Sequence, residues 1–289
     1  MPAVYGFDTE AVWGPVDFPR RWPYVATMLH FIAEDQHTPP AFQRIKGGER
    51  AAALLVCDHA SAAIPAHLGD LGLDAITLAS HVAWDIGAAQ VTRLLAARLD
   101  CPALLAGVSR LVIDCNRQPG DPASIPARTC EVEIPGNGEI DDAEAEARAR
   151  TWFWPYHQEI GTTLAHMLRH GTVPAMISIH SFTPAMAGLR RPWQVGVLWN
   201  RDGRMALPLI EALRRRPDFC VGDNQPYSGR ELNYTLDTHA GAAGLPHVSF
   251  EIRQDLIGDD QGCHQWSALL AQVLEPVLAA PEPHHIQVF

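Results

Sequence analysis

The sequence predicts an α/β fold, with a single three-layer domain whose mixed, mostly parallel sheet is flanked by helices. From Ala51 onward, short apolar runs rich in β-branched residues alternate with segments of helical periodicity. That alternation is typical of strand–helix–strand units. The chain has 289 residues, of which 47% are hydrophobic, so it is long enough to bury one large core.

The predicted elements follow the hydrophobic pattern of the chain. The apolar run Ala53–Cys57 predicts the first strand, and the helical spacing of Val91–Leu99 predicts the first long helix. The remaining predictions are strands at Ala103–Ala106 and Arg110–Asp114, helices within Ala143–Leu168 interrupted near Pro155, strands at 174–180 and 194–199, a helix at 205–215, a strand at 247–252 and a helix at 264–279.

Some segments lie outside this alternation. Residues 1–46 are rich in proline and aromatic residues and predict an irregular N-terminal arm, with a short helix around Val25–Glu34. Exposed tryptophans are costly on a free tail, so we expect the arm to lie over the body or to form a homodimer contact. We expect residues 47–280 to form the main domain and residues 281–289 a tail. The proline-rich stretch Gln118–Gly138 predicts a long ordered loop or lid.

Charge and hydropathy exclude several classes of partner. The formal net charge is −11, which argues against nucleic acid and against an anionic membrane surface, since both favour basic patches. No apolar stretch approaches the roughly 18 residues of a membrane span, and the first residues do not resemble a signal peptide. We therefore expect a cytoplasmic protein that acts on a small molecule.

Two apolar runs each end on a histidine. His59 follows Ala53–Cys57, and His180 ends the run that begins at Ala175. A third run, Pro246–Ile252, brings Glu251 to a comparable position. Ligands of open α/β sheets lie at the carboxyl ends of strands, and imidazole with carboxylate is the donor set of zinc hydrolases. The sequence therefore predicts one zinc ion per chain, with His59 and His180 as ligands.

The sequence offers two aspartates as candidates for the third ligand. Asp85 stands where a helix begins and can point back towards the sheet edge, although an aspartate there can equally cap the helix. Asp58 is the alternative, but neighbours in an extended segment point to opposite sides, which disfavours its acting together with His59.

Other polar residues are candidates for catalysis and substrate binding. Glu251 lies between apolar neighbours that raise a carboxyl pKa, which suits a general base; the alternative is a structural ion pair with Arg253 or another arginine. Asn116 and Arg117 follow a predicted strand and resemble a carboxylate clamp. Arg110 can form a structural pair with Asp114.

Six blocks together resemble the N-formylglutamate amidohydrolase family, in the expected order and over about residues 50 to 275. They are Asp58–Ser61 with Ile64–Pro65, Trp84–Gly87, Ser109–Arg117, Pro155–His157, Ser178–Phe182 and Phe250–Asp255. The resemblance implies a fold similar to that of zinc carboxypeptidases. It implies that His59, Asp85 and His180 are the zinc ligands and that Glu251 is the base. It further implies that Arg110, Asn116 and Arg117 bind the carboxylate of an amino acid.

The sequence departs from these relatives at two places. Carboxypeptidases have an acidic ligand three residues after the first histidine, where this chain has Ala62. The blocks Pro192–Val197 and Gly222–Ser228 resemble a predicted branch of the family.

The sequence thus predicts a zinc-dependent amidohydrolase that cleaves a small N-acyl amino acid such as N-formylglutamate. Glu251 is its predicted base, and Arg110 or the metal stabilises the oxyanion. The alternatives are a carboxypeptidase or other deacylase of the same fold, and a metal-binding relative without catalysis.

Overall fold

The computed structural model describes residues 38–289 except Thr172, and eleven strands lie within that range. They are β1 (Phe42–Ile45), β2 (Ala53–Cys57), β3 (Ala103–Ala106), β4 (Arg128–Thr129), β5 (Val132–Glu133), β6 (Ala175–Phe182), β7 (Ala185–Met186), β8 (Leu189–Arg190), β9 (Val195–Leu198), β10 (Val221–Asp223) and β11 (His247–Arg253). Seven of them form one sheet in the order β1-β3-β2-β6-β11-β9-β10, while β4-β5 and β7-β8 are separate hairpins.

Helices connect most of these strands. They are α1 (Ala75–Leu78), α2 (Ala88–Leu99), α3 (Asp142–Arg148), α4 (Trp154–Arg169), α5 (Ala206–Arg214), α6 (Tyr234–Leu236) and α7 (Asp260–Ala279). A π-helical segment, Ala149–Phe153, joins α3 to α4, and a second one, Asp237–Gly241, follows α6. The predicted interruption near Pro155 is therefore a change of helical pitch just before that proline, which stands in the first turn of α4.

The helices cover both faces of the sheet. Alternate residues of β2 point to opposite sides: Leu55 packs in the cluster that contains α2, α5 and α7, and Leu54 packs in the cluster that contains α4. The result is the predicted three-layer α/β domain with a mixed, mostly parallel sheet, and this prediction is confirmed.

The central strands bring their carboxyl ends to one edge of the sheet. Strands β3, β2, β6 and β11 are parallel neighbours, whereas β1 and β9 run antiparallel to the strands they join, β3 and β11. In the β6–β11 register Glu251 stands beside His180. The candidate residues of separate strands therefore meet at this edge.

The predicted strand Arg110–Asp114 is wrong. Its residues form consecutive turns, because Val112 N donates to Ser109 O and Arg117 N donates to Asp114 O. The Ser109 hydroxyl also accepts from Leu111 N, and such local bonds compete with a strand ladder. The apolar side chains of this segment pack into two small clusters beside the sheet.

The remaining segments differ in part from their predictions. The structure places Phe42–Ile45, within the predicted arm, in edge strand β1. Residues 1–37, with the helix predicted at Val25–Glu34, lie outside the described residues. Gln118–Gly138 is largely irregular but contains the β4–β5 hairpin. None of the helices in residues 38–289 combines the length and apolarity that a membrane crossing requires.

Candidate metal centre

Three buried side chains converge at the carboxyl edge of the sheet. His59 follows β2, Asp85 precedes α2, and His180 lies on β6. Each offers one ligand atom, and these atoms lie within 4.8 Å of one another. Asp85 Oδ2 lies 3.3 Å from His59 Nδ1 and 2.9 Å from His180 Nδ1. The three sequence-predicted ligands are thus brought to one point.

The far nitrogens of both imidazoles face aspartates. His59 Nε2 lies 2.7 Å from Asp114 Oδ1, and His180 Nε2 lies 3.2 Å from Asp58 Oδ2. Since an ionised carboxylate only accepts, each Nε2 carries the donated hydrogen. Nδ1 is then the nitrogen of each ring that faces Asp85 and can bind a cation in place of a proton, and carboxylates commonly orient metal-binding histidines in this way.

The two candidate aspartates occupy different sides of the imidazoles. Asp85 Oδ2 lies on the Nδ1 side and also accepts from Ser181 N at 3.2 Å. Its side chain does not cap α2, whose N-cap is Gly87. Asp58 lies on the Nε2 side, where its Oδ1 accepts from Tyr156 Oη at 2.9 Å and from Thr235 Oγ1 at 2.9 Å. The geometry thus favours Asp85 over Asp58 as third donor.

The cluster has an excess of buried negative charge. Burial alone would lower the pKa of His180, but the hydrogen bonds to Asp58 and Asp85 raise it well above its usual value. Burial likewise acts against the ionised form of Asp85, yet the charge of His59 and the hydrogen bond with His180 keep its pKa below the usual range. Because the aspartates outnumber the neighbouring arginine, the site favours a cation between its donors.

Glu251 lies beside this cluster with a free oxygen. Its Oε2 is buried and has no hydrogen-bond partner in the described part of the chain. Burial and the negative charge of Asp85 raise its pKa to about 7, against the opposing charge of His180. The alternative ion pair with Arg253 is not formed, because Arg253 Nε donates to Asp255 Oδ1 at 2.7 Å.

Two of the residues predicted to bind substrate, Arg110 and Asn116, contact Asp114. Arg110 Nη2 lies 2.9 Å from Asp114 Oδ2 and its Nη1 3.5 Å from Asp85 Oδ1, with 27% of the side chain exposed. The structural pair with Asp114 therefore exists. Asn116 N donates to Asp114 Oδ1, and Asn116 Oδ1 accepts from Thr235 N. The half-buried Arg117 contacts the carbonyl of Asn116 and does not touch the metal-facing atoms.

Sequence reasoning missed several residues that support this site. Asp114 was considered only as a partner of Arg110, and Tyr156 and Thr235 were not singled out. A histidine pair also lies beneath the site: His157 Nδ1 is 2.8 Å from His239 Nε2. Two sequence signals point to this region, namely the block Pro155–His157 and His239, which the sequence offers as a loop residue near the site.

Comparisons with known proteins identify the family and the fold of the chain. The model of the N-formylglutamate amidohydrolase family matches residues 51–258. A crystal structure of gene product Atu2144 from Agrobacterium tumefaciens is 35% identical, with a TM-score of 0.81, and the match covers 84% of this chain and 96% of that one.

A second solved structure shares the fold at lower identity. It is the N-formylglutamate amidohydrolase from Ralstonia eutropha JMP134, with 19% identity and a TM-score of 0.55, matched over 82% of this chain and 96% of its own. No curated protein sequence matches the chain. The family model spans well over half of the 289 residues, and the chain therefore belongs to the N-formylglutamate amidohydrolase family.

Proposed function

We propose that this protein is a zinc-dependent amidohydrolase that cleaves the amide bond of a small N-acyl amino acid, such as N-formylglutamate. One observation carries the proposal. The His59, Asp85 and His180 donors converge to within 4.8 Å of one another, beside a glutamate whose buried oxygen has no partner in the described chain. Family membership supports amide hydrolysis as the reaction class.

The donor set fits a catalytic zinc ion. Two imidazole nitrogens and one carboxylate are a common three-ligand set that leaves a coordination position open. Asp114 and Asp58 hold the far nitrogens, so the donors are oriented before any ion arrives. When bound, zinc supplies Lewis acidity that polarises an acyl carbonyl and acidifies water.

Glu251 acts as general base and then as general acid in this proposal. Its Oε2 accepts a proton from the attacking water and delivers that proton to the amine nitrogen as the amide bond breaks. The lack of a competing donor on Oε2 leaves the oxygen available for this transfer. The exposed part of the Arg110 guanidinium donates to the oxygen of the acyl group, where negative charge develops.

Asn116 and Arg117 bind the α-carboxylate of the substrate. They belong to the turn that begins at Asp114, where Asn116 N donates to the Asp114 carboxylate and the half-buried Arg117 guanidinium donates to the Asn116 carbonyl. A guanidinium binds a carboxylate through two parallel hydrogen bonds.

We further propose that the protein is intracellular and that it forms a homodimer through residues 1–46. Cell fractionation tests the location, and light scattering tests the oligomeric state.

Two alternative functions can be distinguished from the proposed one by experiment. A carboxypeptidase-like deacylase would prefer peptides to N-formyl amino acids, and a non-catalytic relative would bind metal without turnover. A substrate panel of N-formyl and N-acetyl amino acids, their carboxamides and dipeptides separates these functions.

Metal content and turnover test the mechanism directly. We expect about one zinc ion per chain in the wild type, loss of that zinc in His59→Ala and His180→Ala, and retention in Glu251→Gln. Glu251→Gln should retain the fold and lose about 10²- to 10⁴-fold in turnover, the usual scale for removal of a general base. Full metal retention in both histidine variants would contradict the ligand assignment, and wild-type turnover in Glu251→Gln would remove that residue from the mechanism.

A further inference from the structure

A second arginine, Arg191, belongs to a segment that adjoins the sheet at a different strand from the segment of Arg117. Arg191 follows β8 and precedes β9, and the register pairs Val195 with Ile252 at the carboxyl end of β11. Arg117 belongs to the segment that follows β3, on the other side of β2 and β6. The sheet order therefore places β6 and β11, which carry His180 and Glu251, between β3 and β9.

The backbone around Arg191 is held to the catalytic strand. Arg253 Nη1, at the end of β11, lies 3.4 Å from each of the carbonyl oxygens of Arg191, Pro192 and Trp193. Arg191 N donates to Pro184 O at 2.9 Å. Arg253, the alternative partner of Glu251 in the sequence, thus fixes the segment that carries Arg191.

The guanidinium of Arg191 has neutral neighbours. It lies over the rings of Phe182 and Tyr227, 5.7 Å and 5.0 Å from their centroids. Its Nη1 donates to Tyr227 Oη at 3.1 Å and to Thr183 Oγ1 at 3.3 Å. Every acceptor that contacts it within the described residues is uncharged, including Met186 Sδ and Thr183 O. A half-buried cation without a counter-ion in this part of the chain suits an anionic ligand.

The aromatic partners of Arg191 tie it to the catalytic face. Phe182 is two residues after His180 on β6, so both side chains project from the same face of the sheet. Burial and the negative charge of Glu251 raise the pKa of the Tyr227 phenol, while Arg191 opposes the rise. Tyr227 therefore lies within electrostatic range of both the cation and the predicted base.

Two sequence blocks position this aromatic–arginine pair. A Cβ on Gly196 would lie 2.1 Å from Gln225 O, and a Cβ on Gly222 would lie 2.3 Å from the same oxygen. The loop that carries Tyr227 can approach β9 and β10 only because both positions are glycine. The blocks Pro192–Val197 and Gly222–Ser228, which the ligand and base assignments leave unused, thus meet here.

We propose that Arg191 is a specificity-determining residue that binds an anionic group on the substrate's side chain, while Arg117 binds its α-carboxylate. This inference rests on the proposed function, because it assigns a second carboxylate to the same substrate. It restricts the preferred substrates to N-acyl derivatives of acidic amino acids. Tyr227 and Phe182 hold the guanidinium in place and shield it from water.

The test compares an acidic substrate with its neutral isostere. KM and kcat are measured for N-formylglutamate and N-formylglutamine with the zinc-loaded wild type, Arg191→Met and Arg191→Lys. Equilibrium binding of glutamate and glutamine is measured by calorimetry on the same proteins, which gives a readout independent of turnover. Arg190→Met is the matched control, since it removes the same charge from the exposed neighbouring residue.

We expect Arg191→Met to weaken binding of the glutamate series by about 10- to 100-fold, the usual effect of losing a charged hydrogen bond. The glutamine series should change by less than about 2-fold, and Arg190→Met should alter neither. Arg191→Lys should recover only part of the selectivity because an ammonium lacks the bidentate fork. If Arg191→Met does not fold, the comparison is made with Arg191→Lys instead.

Several outcomes would overturn the inference. Equal losses for both series would make Arg191 an α-carboxylate ligand or a structural residue, and unchanged selectivity would remove it from recognition. If N-formylglutamate is hydrolysed without dependence on Arg191, only this inference fails. If glutamate binds through Arg191 but no substrate is hydrolysed, the proposed function fails and the inference stands. If the wild type neither hydrolyses N-formylglutamate nor binds glutamate, both fail.

Discussion

At the scale of single residues, the candidate site depends on aspartates that do not face the metal position. Asp114 and Asp58 each hold the Nε2 atom of one histidine. Asp58 is itself held by Tyr156 and Thr235. Residues of α4 and α6 therefore fix the orientation of His180 through Asp58. The turn that contains Arg110 fixes the orientation of His59 through Asp114.

The first prediction concerns Asp114. We expect Asp114→Asn to weaken zinc binding by about 10- to 100-fold, because an amide does not hold the His59 Nε2 hydrogen as a carboxylate does. Competition with a chelator of known affinity measures the change. Asp202→Asn is the control, since Asp202 is also buried but pairs with Arg204. Unchanged affinity in Asp114→Asn would show that Asp114 does not orient the ligand.

The site residues that the sequence predicts most readily are those that lie on strands. His180 and Glu251 lie in apolar runs whose ends are visible in the pattern, and the structure places them side by side in register. The role of Asp114 was not visible, because its segment folds into turns that point the carboxylate back at His59. No hydrophobic period encodes that direction.

At the scale of elements, the two π-helical segments frame a pair of buried histidines. His157 lies near the start of α4, after the first segment, and His239 lies in the second. His157 Nε2 lies 2.9 Å from Cys115 O. A carbonyl only accepts, so the hydrogen is on Nε2, and the free Nδ1 accepts from His239 Nε2. This hydrogen bond joins α4 to the segment after α6.

This pair predicts a dependence of stability on pH. Burial lowers the pKa of His157, and burial together with the charge of His157 lowers the pKa of His239 to about 4. An unfolded histidine has a pKa of about 6.5, so the unfolded chain binds protons that the folded chain excludes. The free energy of unfolding therefore falls as the pH drops from about 6.5 towards 4.

Thermal melting between about pH 7 and pH 5 measures this effect. We expect His239→Gln to lose less stability over this range than the wild type. The control is His264→Gln, which changes an exposed histidine of α7 and should follow the wild type. Parallel curves for all three proteins would assign the pH dependence to other groups.

At the scale of the whole molecule, the fold was largely predictable because the strand and helix patterns of hydrophobic residues dominate the sequence. Ala103–Ala106 is predicted and observed with the same bounds, and β6, β9 and β11 differ from prediction by at most two residues at an end. The order β1-β3-β2-β6-β11-β9-β10 could not be predicted, since period and length do not specify which strands pair. Edge strand β1, with exposed polar residues in its centre, lacks the apolar pattern of the buried strands.

Zinc is expected to stabilise the entire domain. A ligand that binds only the folded state adds about 2.7 kcal/mol at 100 times its dissociation constant. The melting temperature should therefore rise with free zinc and fall after treatment with a chelator. His180→Ala should lose the zinc-dependent rise, whereas Arg190→Met should keep it. A melting temperature independent of zinc in the wild type would contradict a metal site formed by the folded chain.

The separation of the donors along the chain has a consequence for the order of events during folding. His59 and His180 are 121 positions apart, and they meet only after β2 and β6 have paired across everything between them. Contacts of such long range form late and slowly. Neither half of the chain offers the complete donor set, so zinc uptake during refolding should coincide with the final closure of the sheet. Zinc would then bind only after the fold is complete and would not nucleate folding.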